Sequence, residues 1–324
     1  MRNPLRRSIA PSLRRFGYAA IISLAWLLPP LAVRAADVTV RAADGKTESF
    51  IRFLDDNDGG GKLQTAIATF KNKAGVKVHL VAAVHVADSP YYKDLGRTFE
   101  KYDALLYEMV KPGNVDVPAP DKRRASAVSF IQQALKDVLE LDYQLDAIDY
   151  AAKNFVHADL TAEEFERLQS ERGESIFMLI FQQMLREMDN PRNMQASDLT
   201  IAELLVALTS PDRARHLKLM LAKQFDNIED QLSGLDGPNG TVLVTERNKA
   251  AIAVLKKTIA KGQRNIGIFY GAAHMKGISK MLAEMGFEPA GIEWRTAWDM
   301  TPRPGDIVVK QAKPVPATAP TQPK

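Results

Sequence analysis

The sequence predicts an α/β protein with a central, mainly parallel sheet, an N-terminal β-hairpin and a large helical insertion. Three observations lead there. Two stretches far apart, Val78 to Leu95 and Ile266 to Leu282, share one plan: an apolar strand-like run, a small-residue turn, a histidine, then helix-like sequence. From the first stretch, strand, helix and strand succeed one another over about 35 residues, which describes a βαβ unit with parallel strands and a right-handed crossover. The middle, roughly Arg124 to Phe225, carries helix start signals ahead of apolar-periodic runs.

In chain order, residues 1–35 are expected to be a leader rather than fold. Arg2, Arg6, Arg7, Arg14 and Arg15 form a positive start, Phe16 to Val33 is mostly apolar, and Val33-Arg34-Ala35 suits cleavage after Ala35. Pro29-Pro30 interrupts the apolar stretch, so cleavage is favoured over a retained anchor. Arg14-Arg15-Phe16 matches a twin-arginine signal only loosely. The expected location is therefore periplasmic or secreted. The α/β domain is placed at 36–302 with its helical insertion at about 124–240, a span suited to one large or two small domains. Beyond it, 303–324 reads as a disordered, proline-rich tail.

Within the domain, Val38 to Leu54 is strand-like and Asp55 to Gly61 is a turn cluster. Its glycine placement and missing terminal glutamate argue against an EF-hand. Leu63 to Phe70 and Val76 to Val86 flank Lys71-Asn72-Lys73-Ala74-Gly75, a hairpin signal. Ser89-Pro90 opens a helix, and Asp103 to Val110 is a short buried strand. Thr161/Glu164 and Thr200/Glu203 are capping boxes, and Ile176 to Leu185 is a strongly apolar helix too short to span a bilayer. Val242 to Ala260 is a helix with Gly262 as its cap, and Asn265 to Tyr270 a buried strand. Phe287 to Trp298 reads as two short strands or an edge hairpin.

Charge and composition exclude several functions. All six charges of the leader are arginines, so residues 36–324 carry 37 basic and 39 acidic residues, a net of −2. That leaves no footprint for nucleic acid and no basic patch for anionic lipid. The absence of cysteine excludes disulfides, thiolate metal sites and cysteine nucleophiles.

Four residues stand out. His85 lies at the carboxyl end of a buried strand, where open α/β sheets keep their chemistry. Glu108 sits in a strand-like run whose carboxyl end faces the same rim, and a buried carboxylate needs a cation or donors beside it. His274 follows Gly271-Ala272-Ala273, which lets the backbone turn tightly. Arg247 precedes the last sheet strand and offers a bidentate fork for a carboxylate or oxyanion. Two histidines and a carboxylate make either a metal site, polarising a carbonyl or activating water, or an acid/base constellation in which Glu108 orients a histidine. The residue types leave both open. His79 is expected to be structural, His157 a loop residue and His216 on a solvated helix face.

Together these residues resemble the TraB/GumN/PrgY family, bacterial relatives of the Tiki metalloproteases. That family carries two Gly-x-x-His motifs, a glutamate on the strand after the first and an arginine before the second. Here AAVHVADS supplies His85, LLYEMV Glu108, TERN Arg247 and YGAAHMKGI His274. Ala82 stands where the family has glycine. The resemblance implies an EreA/ChaN-like fold with a sheet core and a large helical insertion, on which His85, Glu108 and His274 would hold a divalent metal ion or serve as its acid/base equivalent. Relatives are described as metal-dependent peptidases, esterases or haem-binding proteins, so fold alone does not fix the reaction.

The expectation is an exported, metal-dependent hydrolase acting on a peptide or small acyl substrate, with Arg247 stabilising the oxyanion. Peripheral membrane association is the one further partner left open. The alternative is a non-catalytic binding protein for haem, a peptide or a hydrophobic ligand. Its ligand wall would be Ile176 to Leu185 with Met178, Met184 and Met188.

Overall fold

The computed structural model describes residues 49–113, 139–174, 209–225, 240–304 and 306. The leader, residues 36–48, the second capping box, the apolar stretch 176–185, residues 233–239 and the tail beyond 306 lie outside these residues.

Alternation and turn chemistry act together at the N-terminal side. β1 (Ile51–Asp55) and β2 (Gly61–Asn72) pair antiparallel across the aspartate-rich turn, and β2 then pairs antiparallel with β3 (Lys77–Ala83). The second turn closes because Asn72 Oδ1 accepts from Val76 N at 2.9 Å and Gly75 takes a φ of +79°. In the first turn Asp56 Oδ1 accepts from Gly60 N at 2.8 Å, so that aspartate serves the turn's own backbone.

β3 enters a parallel core. Its other neighbour is β8 (Asn265–Gly271), then come β5 (Ala104–Tyr107) and β7 (Phe155–His157), all parallel. Val78, Leu80, Val81, Ala82 and Ala83 are buried, as are Ile266, Ile268, Phe269 and Tyr270. Such continuous apolar runs are what a strand covered on both faces requires. Packing is tight at Gly267, where an added Cβ would lie 2.6 Å from both Leu105 and the Tyr102 ring. The helices run α1 (Ser89–Phe99), α2 (Gln144–Ala147), α3 (Ala162–Arg172), α4 (Arg213–Phe225), α5 (Arg247–Ala260) and α6 (Ala272–Glu284). None is long and apolar enough to cross a membrane, among the described residues.

Several local readings hold. Pro90 sits in the first turn of α1, and α3 has the full capping box of Thr161 and Glu164. Gly262, at φ +90°, follows the end of α5. His79 is structural: its ring nitrogens meet Thr69 Oγ1 at 2.9 Å and Asn265 Oδ1 at 2.8 Å, and the ring stacks on Tyr102.

Other readings change. β3 and β5 are not neighbours, because β8 inserts between them. The middle is not wholly helical: β7 joins the main sheet, and β6 (Asp142–Tyr143) pairs with β4 (Val86–Ala87) in a separate two-stranded sheet. His157 therefore ends a strand rather than lying in a loop, and its Nε2 contacts Met109 O at 2.6 Å. His216 is buried rather than solvated, with Nδ1 3.0 Å from Asp212 Oδ1. Phe287–Asp299 is one strand, β9, lying along β2 on the edge opposite β1 and β3. Pro289 and Gly291 suggest a turn, but they flank a register shift opposite Thr69 and Phe70, where a strand tolerates proline. The segment before α5 is a π-helical turn, Val242–Glu246, in place of continuous α-helix.

Candidate functional site

The carboxyl ends of β3, β8 and β5 set the frame. Ala83 pairs with Gly271, so His85 lies two residues past the last β3 pair and His274 three past its β8 partner. Tyr107 pairs with Phe269, and Glu108 comes directly after it, its N–H donating to Phe269 O at 3.1 Å. The two near-repeat strands are thus hydrogen-bonded, parallel neighbours.

Glu108 is the centre of the cluster. Its Oε1 accepts from Arg247 Nη2 at 2.7 Å, and its Oε2 from Gly271 N at 2.6 Å. Gly271 caps α6, so the carboxylate lies at a helix N-terminus, where backbone donors and the helix dipole favour negative charge. Burial alone would push its pKa up. Arg247, His274, His85 and the Gly271 N–H outweigh burial and hold it at about 2.

Arg247 is 2% exposed and held from two sides. Asp159 accepts from Nε at 3.0 Å and from Nη2 at 2.6 Å, and Glu108 takes the second Nη2 contact. Burial opposes the charged guanidinium, but Asp159 and then Glu108 raise its pKa further. A π-helical turn, a feature frequent at functional sites, directly precedes Arg247.

Asn248, the next residue, serves His274. The ring's Nδ1 lies 2.7 Å from Asn248 Oδ1. Asn248 Nδ2 reaches His274 O at 3.5 Å, which turns Oδ1 toward the ring and assigns the proton to Nδ1. Gly277 lets α5 come this close, since an added Cβ there would collide with the Asn248 amide nitrogen. Nε2 of His274 then presents a lone pair 3.6 Å from Glu108 Oε1. Two acceptors facing each other need positive charge between them, either a proton on Nε2 or a cation.

His85 belongs to the same cluster but is held differently. It lies in the loop between β3 and β4, is half-buried, and its O accepts from Gln144 N at 2.9 Å. Burial lowers its pKa most; Glu108 opposes this, Arg247 adds to it, and the Gln144 side chain opposes it. The ring is therefore biased toward the neutral form.

All four residues singled out in the sequence thus share one rim and influence one another. Asp159, Asn248 and Gln144 were missed. Asn248 stood in the quoted TERN segment, while Asp159 and Gln144 lay in the stretch read as helical insertion. The signal for Asp159 was a carboxylate between apolar Ala158 and Leu160, with a buried arginine still needing a partner. Ala82, in place of glycine, is fully buried in β3 and has no positive φ, so no backbone demand for glycine exists there.

Among the described residues no group of three or more histidine, aspartate or glutamate side chains is gathered as metal ligands are. The donor chemistry still suits a divalent ion: an ionised carboxylate faces Nε2 of an imidazole whose other nitrogen is anchored by Asn248. No family model matches this chain, and no curated protein matches it. The TraB/GumN resemblance therefore rests on the sequence motifs around His85, Glu108, Arg247 and His274 alone.

Proposed function

We propose that the protein is an exported, metal-dependent hydrolase of a peptide or other acyl bond. One observation carries this reading: His274 Nε2 faces the ionised Glu108 carboxylate at 3.6 Å, with Arg247 fixing the carboxylate from behind. A divalent ion, when bound, would be held by Glu108, His274 and His85 and would polarise the scissile carbonyl or its attacking water.

The chain's own residues have separable roles. Glu108 stays ionised through the neutral range and sets the negative side of the site. Asn248 keeps the His274 proton on Nδ1 and so leaves Nε2 turned toward Glu108. His85, biased toward the neutral form by burial, keeps a ring-nitrogen lone pair for the ion, as a ligating imidazole must. Arg247 acts first through Glu108, which it orients; direct contact with an oxyanion would fall to Nη1, since Nε and Nη2 already serve carboxylates.

The test uses purified wild type and the His85→Ala and His274→Ala variants. Metal content is measured after purification without chelators, and hydrolysis is measured over a broad panel of peptides and esters. Both variants are expected to lose metal and activity. Variants equal to wild type in both measurements would refute the reading.

A further inference from the structure

Gln144 is 6% exposed and lies beside His85. The two-stranded sheet that puts it there is separate from the main sheet: Val86 pairs with Tyr143 and Ala87 with Asp142, and Gln144 N then donates to His85 O at 2.9 Å. The backbones on either side of both residues are thus fixed to each other. The Gln144 side chain has one end committed, with Nε2 donating to Tyr150 OH at 2.9 Å. Its Oε1 is buried and accepts no hydrogen bond of full geometry among the described residues. A buried amide oxygen without a donor costs roughly 1–3 kcal/mol, so a fold that retains one needs a reason.

His85, whose backbone oxygen accepts from Gln144 N at 2.9 Å, carries the ring within reach of the Gln144 side chain. Contacts of this kind are often poorly aligned in the empty site and tighten when it is filled.

We propose that Gln144 is a positioning residue, whose Oε1 accepts from one ring nitrogen of His85 and fixes which nitrogen carries the proton. The other ring nitrogen is then left to face Glu108 and the substrate side. Asn248 already does this for His274 through an amide oxygen. Both histidines of the near-repeat are thereby oriented by an amide from another part of the chain. The inference rests on the reading of His85 as a site residue but not on hydrolysis.

The test is the nitrogen spectrum of the full chain with 15N-labelled histidine, in chelator, above the pH range of histidine titration. A His85→Asn sample identifies the His85 signals. Wild type is expected to show one neutral tautomer at His85, with two well-separated nitrogen shifts. Gln144→Leu should average them, and Gln144→Glu, which keeps an acceptor, should restore the separation. Unchanged His79 signals report an intact fold. If Gln144→Leu fails to fold, Gln144→Asn withdraws the oxygen by one methylene and should give the same averaging. His85 shifts that do not move in a folded variant overturn the proposal, whether or not the protein hydrolyses anything. If hydrolysis is found, Gln144→Leu should lower kcat by roughly tenfold or more with little change in KM; an effect on KM alone would also overturn it.

Discussion

The two ends of the near-repeat began as copies in the sequence and finish as opposites. His274 sits in the first turn of a helix, 3% exposed, with its ring fixed by Asn248. His85 sits in a loop, half-buried, with its backbone pinned by a two-residue strand pair. Both strands deliver their histidine to the same carboxylate. The difference shows how one sheet can hold one imidazole rigidly and leave its partner accessible. The division lies in the segment after each strand: Gly271 leads directly into α6, whereas Val84 leads into β4 before α1 begins.

The largest effect is expected where both ends depend on one group. Arg247→Met leaves Asp159 and Glu108 buried without their cation and should lower stability by about 3–5 kcal/mol. Urea unfolding measures it; a loss below about 1 kcal/mol would mean that the carboxylates are not truly desolvated.

Next comes the pH dependence of the shared carboxylate. The folded pKa of Glu108 is depressed to about 2 from an ordinary 4.5. Its contribution is therefore complete above the ordinary value and disappears as pH falls between the two, an effect on the order of 3 kcal/mol. Over that interval the stability of wild type should fall more steeply than that of Glu108→Gln; parallel curves would mean that the carboxylate is not depressed. His85, also depressed, adds a loss of stability that begins as pH drops below its ordinary 6.5.

A third substitution separates the two ends. Asn248→Leu releases the His274 ring and should reduce metal affinity or activity by roughly 10–100-fold while the His85 nitrogen signals stay put. Movement of both histidines would mean that they are not independently held. The smallest effect is expected at Ala82→Gly. That residue is in regular strand, so glycine should cost about 0.5–1 kcal/mol and leave activity unchanged. A gain in activity would show that the methyl group obstructs the site.

The parts legible in the sequence share a cause. The apolar runs of β3, β5 and β8, the 71–75 turn, Pro90 and the Thr161/Glu164 box are local signals, and each produced the element it indicated. His85, Glu108 and His274 were legible because chemistry at strand ends is positional; Arg247, at a helix start, stood out only beside them and through the motif resemblance. The features that escaped were non-local. Nothing near residue 104 says that a strand from residue 265 will lie against it. β7, at three residues, is too short to show periodicity. Asp159 and Gln144 become site residues only through partners 88 and 59 positions away, Arg247 and His85. β9 escaped because its proline and glycine coincide with a bulge that only β2 reveals.

The insertion of β8 between β3 and β5 also has a consequence in time. This strand of the parallel core begins only at Asn265, yet both its neighbours are complete by Tyr107. Until β8 leaves the ribosome, β3 and β5 have facing edges with no partner between them. Pairing over such separations is slow and leaves edges open to other chains. The same late strand brings Gly271 N and His274 to Glu108. The cluster therefore cannot precede the parallel core: a chain stopped short of Asn265 would lack both its middle strand and its site, and a chain that has the site has necessarily finished its parallel strands.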